Sequence, residues 1–405
     1  MFPIEQAWFG QIAGMFMFFV FIMIYPKYML YKMIAEMEEV AETLEGYTED
    51  AIELIVKVSA EKGGPFENAT EVVNGVMEFF VIPPVDLDPY GILTKVEHLI
   101  DRTEDRLENI AEQVSPESDR VWRGNIVSLL KGGIGLNNIA KIVRHYVEFV
   151  KKTNNLQIAM IMQMNMPLIK KIAKAQKKGV ETIGEGKPIG DGIAPLIAAN
   201  MIEGDVKEAA RDVVYSQIKM DGRNVFVLKA DGPGANLGKL GDAVKKVAKE
   251  QNVVKIITVD ASLKLEGEKT GKVCEGMGAA IGDPGPEKAK MEETAIEMNI
   301  PLEAYVIKMS LEEAISPLTE NIGESVSKAV DLIKEGIGRT PEGSNVVVVG
   351  VGNTCGIGNA RDAVRYIKLP KAEEEKEKMS AVDMFIKTLV KKPKKPQKKE
   401  KSGSK

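Results

Sequence analysis

The sequence predicts a C-terminal α/β domain, its mostly parallel sheet covered by helices on both faces, behind an α-helical region and one N-terminal transmembrane helix. Three observations carry this. An uncharged apolar run occupies residues 8–25. Residues 32–180 show helical periods and almost no strand signal. After Gly179, short apolar runs alternate with helical ones, which is the pattern of a sheet covered on two sides. The units read as 1–31 for the anchor, 32–185 for the helical region, 186–370 for the α/β domain and 371–405 for a tail.

Trp8 to Tyr25 reads WFGQIAGMFMFFVFIMIY, with Gln11 as its one amide. Eighteen helical residues rise about 27 Å, and extension through Leu30 reaches about 35 Å, enough to cross a bilayer. A cleaved leader needs a basic start and a small-residue exit. Here the start carries Glu5 without Lys or Arg, and the exit is Tyr25-Pro26-Lys27-Tyr28. The segment therefore reads as a permanent single-pass anchor in the cell membrane. Lys27 and Lys32 follow it and no basic side chain precedes it, which places the bulk of the chain in the cytoplasm.

The helical region reads as several pieces. Tyr31 to Leu44 continues the anchor, and Thr48-Glu49-Asp50 supplies a capping threonine and early acids for a new start. Gly63-Gly64-Pro65 is a break. Asn68 to Phe80 is a helix stopped by Pro83-Pro84, and Leu93 to Gln113 is amphipathic. Ser115-Pro116-Glu117 has proline at the first helical position. Gly132-Gly133 and Gly135 interrupt the next helix, and Asn137 to Lys178 follows, kinked before Pro167. Met160, Met162, Met164 and Met166 have the spacing of core packing. His98 and His145 stand without a second ligand four residues on, so both read as interfacial histidines.

In the α/β domain, strands are expected at Val213–Ile218, Val225–Leu228, Val253–Val259, Tyr305–Ile307 and Val346–Val349, with helices at 192–201, 240–251, 287–299 and 321–336. Ligands of such sheets bind beyond the carboxyl ends of the strands. Two glycine-rich loops sit there. One is Asp231-Gly232-Pro233-Gly234-Ala235-Asn236-Leu237-Gly238-Lys239; the other runs from Gly350 through Gly352 and Asn353 to Asn359. Glycines let backbone N–H groups approach an anion, although neither loop has the Walker or Rossmann spacing. Asp260 closes another strand. The ligand-binding candidates are thus Asp191, Asp231, Gly232, Gly234, Asn236, Asp260, Gly350, Gly352 and Asn353, with Asp191 and Asp260 as candidate metal ligands.

Composition narrows the function classes. Of 405 residues, 44% are hydrophobic and 28% charged, a globular balance. Two cysteines, Cys274 and Cys355, exclude a disulfide framework or a Cys-rich zinc site. Net charge is -5, of which the tail carries +6 and residues 1–370 carry -11. An acidic body argues against nucleic acid, whose phosphates need clustered Lys and Arg. The tail KKPKKPQKKEKSGSK cannot bury a core and is suited to contact anionic lipid. Anchoring concentrates chains in two dimensions, so a homo-oligomer is expected.

Two resemblances follow from these residues. The anchor, DGPGANLGK at 231–239, VDASLKLEG at 259–267 and VGVGNTCGIGN at 349–359 are similar to an archaeal membrane-anchored family known as a domain of unknown function. More weakly, Gly190-Asp191-Gly192-Ile193-Ala194-Pro195-Leu196-Ile197-Ala198 and Val259-Asp260-Ala261 resemble hydrogenase maturation proteases and their spore-protease relatives. That resemblance implies Asp191 and Asp260 as metal-recognising acids. It also implies a histidine near Lys308–Leu311, which this chain lacks, since both histidines precede residue 150. It leaves two arrangements open: a circular permutation, in which the 346–351 strand lies centrally and Gly352-Asn353 approaches Gly190-Asp191, or an unpermuted domain in which 346–351 is merely the last strand.

Three functions fit these readings. The first is a membrane-tethered cytoplasmic scaffold or sensor that binds a small anionic or nucleotide-like ligand. The second is a metal-dependent hydrolase or peptidase built on Asp191, Asp260 and Asp231 or Asp283. An all-oxygen donor set would there favour Mg²⁺, Mn²⁺ or Ca²⁺. The third is a structural organiser of the membrane surface.

Overall fold

A computed structural model describes residues 4–85, 90–282 and 285–372, with side chains from residue 12 onward. Asp283 and nearly all of the basic tail lie outside the described residues. Residues 1–370 form one compact unit.

The helical region is built on α1, Ile4–Gly63, a single helix of 60 residues. From Ile12 its first part is long and apolar enough to cross a membrane, and none of it is buried. Farther along, Leu30, Met33, Ile34, Met37, Ala41 and Leu44 turn into a core shared with α2 (Ala69–Met77), α4 (Arg120–Thr153) and α5 (Leu156–Gly184). The start expected at Thr48 does not occur: its hydroxyl donates to the Leu44 carbonyl one turn back, within the continuous helix. α3, Ile92–Val114, packs against α4. Ser115-Pro116-Glu117 does not open a helix either. Ser115 Oγ donates to the Ser59 carbonyl at 3.1 Å, and Asp119 caps α4 by accepting from Trp122 N at 2.7 Å.

Nor do the glycines break α4. A Cβ on Gly132 would lie 2.6 Å from Val180 Cγ2 of α5, and one on Gly133 would lie 3.0 Å from Met77 Sδ. The glycines bring helices into contact. The break falls instead at Asn154, in the left-handed region at φ 52°, after which Asn155 caps α5 through Ile158 N at 3.1 Å. Pro167 lies inside α5. Of the methionines, Met162 and Met166 are buried, while Met160 and Met164 face outward. α4 is also apolar enough to span a membrane, but half of that stretch is buried as core.

The sheet has seven strands in the order β1-β2-β3-β7-β4-β6-β5. These are β1 Lys207–Ala210, β2 Val213–Met220, β3 Arg223–Ala230, β4 Val253–Leu263, β5 Val273–Met277, β6 Leu302–Met309 and β7 Asn345–Gly350. The four central strands are parallel, with Phe226 and Ile256 both opposite Val347. β1 and β2 on one side and β5 on the other add antiparallel pairs, so the sheet is mixed, with a parallel centre. Val346 and Val348 face one core with Val225, Val227 and Ile257; Val347 and Val349 face another with Phe226, Leu228 and Ile256. This double burial makes the central strands continuous apolar runs. α6 (Ile193–Met201) and α11 (Ser325–Gly338) cover the first face, and α7 (Leu240–Gln251) and α8 (Pro286–Met298) the second. Short helices α9 (Leu311–Ile315), α10 (Glu320–Gly323) and α12 (Arg361–Val364) complete the chain.

β7 lies between β3 and β4. The chain leaves β3 toward α7 on one face and leaves β7 toward α12, which packs on α6, on the other. Neighbouring strands whose connections depart to opposite faces leave a crevice at their carboxyl ends. Gly179 of α5 joins the helical region to this domain, because any Cβ there would overlap the Ile315 carbonyl of α9. Gly179→Ala should therefore cost about 1–3 kcal/mol by overpacking. Gly46→Ala in α1, where a Cβ meets nothing within 4 Å, should instead stabilise by about 0.5–1 kcal/mol. Urea unfolding of the full chain in detergent checks both; equal effects of the two variants would contradict this packing.

Candidate functional site

Two loops leave the carboxyl ends of β3 and β7 and lock together. Asn236 N donates to the Asn353 carbonyl at 3.0 Å, and Asn353 N donates to the Asn236 carbonyl at 2.8 Å. Gly356 N donates to the Pro233 carbonyl at 2.9 Å. Asn359 completes the joint: its Oδ1 accepts from Gly232 N at 2.7 Å and Lys229 Nζ at 3.0 Å, while its Nδ2 donates to Asp231 Oδ1 at 2.7 Å. A Cβ at Gly232 would overlap the Ile357 carbonyl, so glycine there serves the contact between the loops. Lys229 is fully buried, and burial lowers its pKa to about 7 against the opposing pull of Asp231.

The helical region closes the other side. Asn125 Oδ1 on α4 accepts from Ala235 N at 3.2 Å, and Arg120 donates to Asp231 at 3.2 Å and also pairs with Asp212. Between loops and helices lies a cavity of about 860 Å³. Asp191, Asp231, Gly232, Gly234, Asn236, Gly352 and Asn353 all line it, joined by Thr354 and by Val121, Gly124 and Ser128 of α4. Gly350 and Asp260 are not in its wall; Gly350 packs against Ala194 and Ala198 of α6.

Asp191 sits in the short turn Gly190–Gly192 that opens α6. By surface area it is exposed, yet burial raises its pKa. Both hold because the surface it exposes is the wall of an interior cavity, where its charge is poorly hydrated. The turn meets the second loop directly: Gly192 has no side chain because Thr354 Oγ1 occupies that space. The 345–350 strand is central in the sheet, and Thr354 and Ile357 of the loop that follows it pack on Gly192.

Asp260 accepts from Ala261 N at 2.8 Å and Gly282 N at 3.0 Å. Burial and then the charge of Asp191 push its pKa up to about 7. These acids are the two candidate metal ligands, and only Asp191 is open to the cavity. No histidine joins them: His98 lies on α3, and His145 stacks on Phe149 of α4. The donor set thus suits a hard cation and does not fit nickel, which takes imidazole and softer donors. Cys355 is also unsuited to chemistry. It is buried, its Sγ donates to the Lys187 carbonyl at 2.8 Å, and burial pushes its pKa up to about 12.

A second acidic group, Glu97, Asp242 and Glu287, has carboxylates within 4.8 Å of one another. The Lys290 ammonium binds all three, at 2.7, 3.0 and 3.1 Å, and Glu287 also accepts from Gly241 N at the start of α7. This cluster is an ion network tying α3, α7 and α8 together.

Sequence reasoning missed Lys229, Thr354, Asn359 and the α4 wall. A lysine inside the apolar strand VFVLKA was a usable signal, since lysine is almost never fully buried without a partner. The α4 contacts had none, because they join residues 92 to 111 positions apart.

The Asp260 shift predicts a pH effect. A folded pKa near 7 against an ordinary 3.8 means that the folded state holds the proton more tightly. The stability this gives is complete at low pH and is lost as pH rises through 7. Asp260→Asn should therefore gain on the wild type, in unfolding free energy, as pH is raised from 5 to 8. A difference that stays constant over that range would contradict the shift.

No curated protein and no solved structure matches the chain. Residues 11–186 match the N-terminal domain, and residues 189–358 the C-terminal domain, of a family described as a protein of unknown function, DUF1512. The two matches meet where α5 gives way to the turn bearing Asp191, and between them they span most of the sequence: the chain belongs to the DUF1512 family.

Proposed function

We propose that the chain is a membrane-tethered protein that holds a small organic ligand in the cavity between its helical region and its sheet, on the cytoplasmic side. One observation carries this reading. At the reversal point of a parallel sheet, the usual ligand crevice, the paired loops that follow β3 and β7 and the facing helix α4 enclose a cavity of about 860 Å³, with the carboxylate of Asp191, unpaired among the described residues, in its wall. The volume falls in the range of small-molecule sites, about 300–1,000 Å³.

The proximity of Asp191 and Asp260 favours a second reading, a metal-dependent hydrolase. A divalent cation held by the two carboxylates would supply a Lewis acid there. The native masses separate the readings, since a cation adds its own atomic mass and an organic ligand a larger one.

Native mass spectrometry of the full chain, purified without refolding, should show a small-molecule adduct released on denaturation. Ser128→Trp, which projects an indole into the cavity, should remove the adduct while leaving the unfolding free energy in urea within about 1 kcal/mol of wild type. An adduct-free wild-type mass would contradict the ligand reading.

The tether follows from the apolar start of α1 and from Lys27 and Lys32 behind it. A membrane-impermeant maleimide should label Phe2→Cys in intact cells and label Ser402→Cys only after permeabilisation. The reverse pattern would invert the topology.

A further inference from the structure

The start of α5 carries an apolar face that the core does not use. Met162 and Met166 are buried, but Met160, Ile161, Met164 and Leu168 are 54–77% exposed. Met160, Met164 and Leu168 follow one another at intervals of four, so they stand on one face of the helix, away from the buried pair.

Charge sets the same stretch apart. Residues 153–169, TNNLQIAMIMQMNMPLI, hold no charged side chain, in a chain that is 28% charged. Lys151-Lys152 precede the stretch and Lys170-Lys171 follow it. A helix face turned to water ordinarily carries charges. Apolar and amide side chains bracketed by lysines suit the boundary between headgroups and hydrocarbon.

Helix contacts fix the height of this stretch along α1. α5 runs parallel to α1: Gln163 donates to Glu36 and Lys177 to Asp50, both at 2.6 Å and both across 127 positions. α4 runs the other way, with Arg144 on Glu45 and Lys151 on Glu38. The turn at Asn154-Asn155 therefore lies at the end of the bundle from which the apolar part of α1 departs. On the α1–α5 offset, Leu156 is level with Met29, Ile158 with Tyr31 and Met160 with Met33. At 1.5 Å per residue, Met160 stands about 5 Å beyond Leu30, where the span ends. The headgroup layer on each side of a bilayer is about 5–8 Å deep. Ile142 of α4 is also exposed, but it is level with Tyr47, about 25 Å beyond Leu30.

The surroundings at that height agree. Tyr28 and Tyr31 of α1 are exposed there, as the aromatic belt of a span is. Glu36 is the first acid of α1 after Glu5, and up to its level the charged side chains beyond the span are Lys27 and Lys32. Cations there complement lipid phosphates.

We propose that the start of α5 rests on the membrane, with Leu156 to Met164 in the lipid headgroup layer beside the span and Met160 and Ile161 inserted among the lipids. This inference rests on the tether reading above. The body then has two contacts with the bilayer, the span and the α4–α5 hairpin. Two contacts fix the bundle's orientation to the membrane, where the span alone would let it swing.

Fluorescence quenching of the full chain in phosphatidylcholine vesicles tests this. A nitrobenzoxadiazole label is placed on Met160→Cys, Ile142→Cys or Ile24→Cys in a Cys274→Ala background, where the remaining Cys355 is buried. All three positions are exposed, so the label displaces no core residue. Nitroxide lipid labelled at the headgroup should remove most of the emission at Met160→Cys and leave Ile142→Cys bright. Nitroxide on the acyl chain should quench Ile24→Cys. Met160→Cys no more quenched than Ile142→Cys, with Ile24→Cys quenched, overturns the hairpin contact and leaves the tether. Equal, strong headgroup quenching at Met160→Cys and Ile142→Cys overturns the assigned height. Disulfide cross-linking of unlabelled Met160→Cys between copies, without headgroup quenching of the labelled form, overturns the lipid contact in favour of an interface between chains. No quenching at any of the three overturns the hairpin contact and the tether together.

Discussion

The reciprocal pairing of Asn236 and Asn353 is the constraint from which the cavity follows. Two loops leaving adjacent parallel strands would ordinarily diverge, because their connections run to opposite faces of the sheet. Here two backbone hydrogen bonds hold them together, and Asn359 ties the far end of the second loop to the start of the first. The glycines serve this contact. At Gly232 and Gly192 the space of a side chain is taken by Ile357 and Thr354. The backbone donors of Gly232, Asn236, Asn353 and Gly356 are used in the joint.

The helical region then acts as the lid of that joint. Asn125 and Arg120 of α4 reach the first loop, and Gly179 of α5 lets α9 approach within backbone contact. Because α4 and α5 pack along α1, the wall of the cavity is mechanically continuous with the apolar helix that begins the chain. The ion network on Lys290 adds a second tie, from α3 to α7 and α8.

Much of the fold was legible because its pattern is local. The central strands read as apolar runs, since Val225 and Val227 serve one core and Phe226 and Leu228 the other. The edges β1 and β5 were not legible, because Lys207-Glu208 and Glu275-Gly276 are polar or flexible and pair only at the margin of the sheet. Thr48 and Ser115-Pro116 carry genuine helix-start signals that tertiary packing overrides: a continuous α1 buries Leu44, Ala51 and Ile55, and Ser115 is used against Ser59. Gly132 and Gly133 read as breaks because close helix packing and helix termination favour the same residue. The glycine loops announced the site and six of its wall residues. The facing wall of Val121, Gly124 and Ser128 did not follow from them, since α4 brings it in from a distant part of the chain.

If the loop pairing is the organising constraint, it must persist in solution. Amide hydrogen exchange of the full chain reads it directly at Asn236 and Asn353, whose N–H groups are the donors of the two bonds. The account predicts that these two amides exchange together and as slowly as the amides of β3 and β7, although both lie in loops. Exchange at the rate of an open loop, with β3 and β7 still protected, would contradict it.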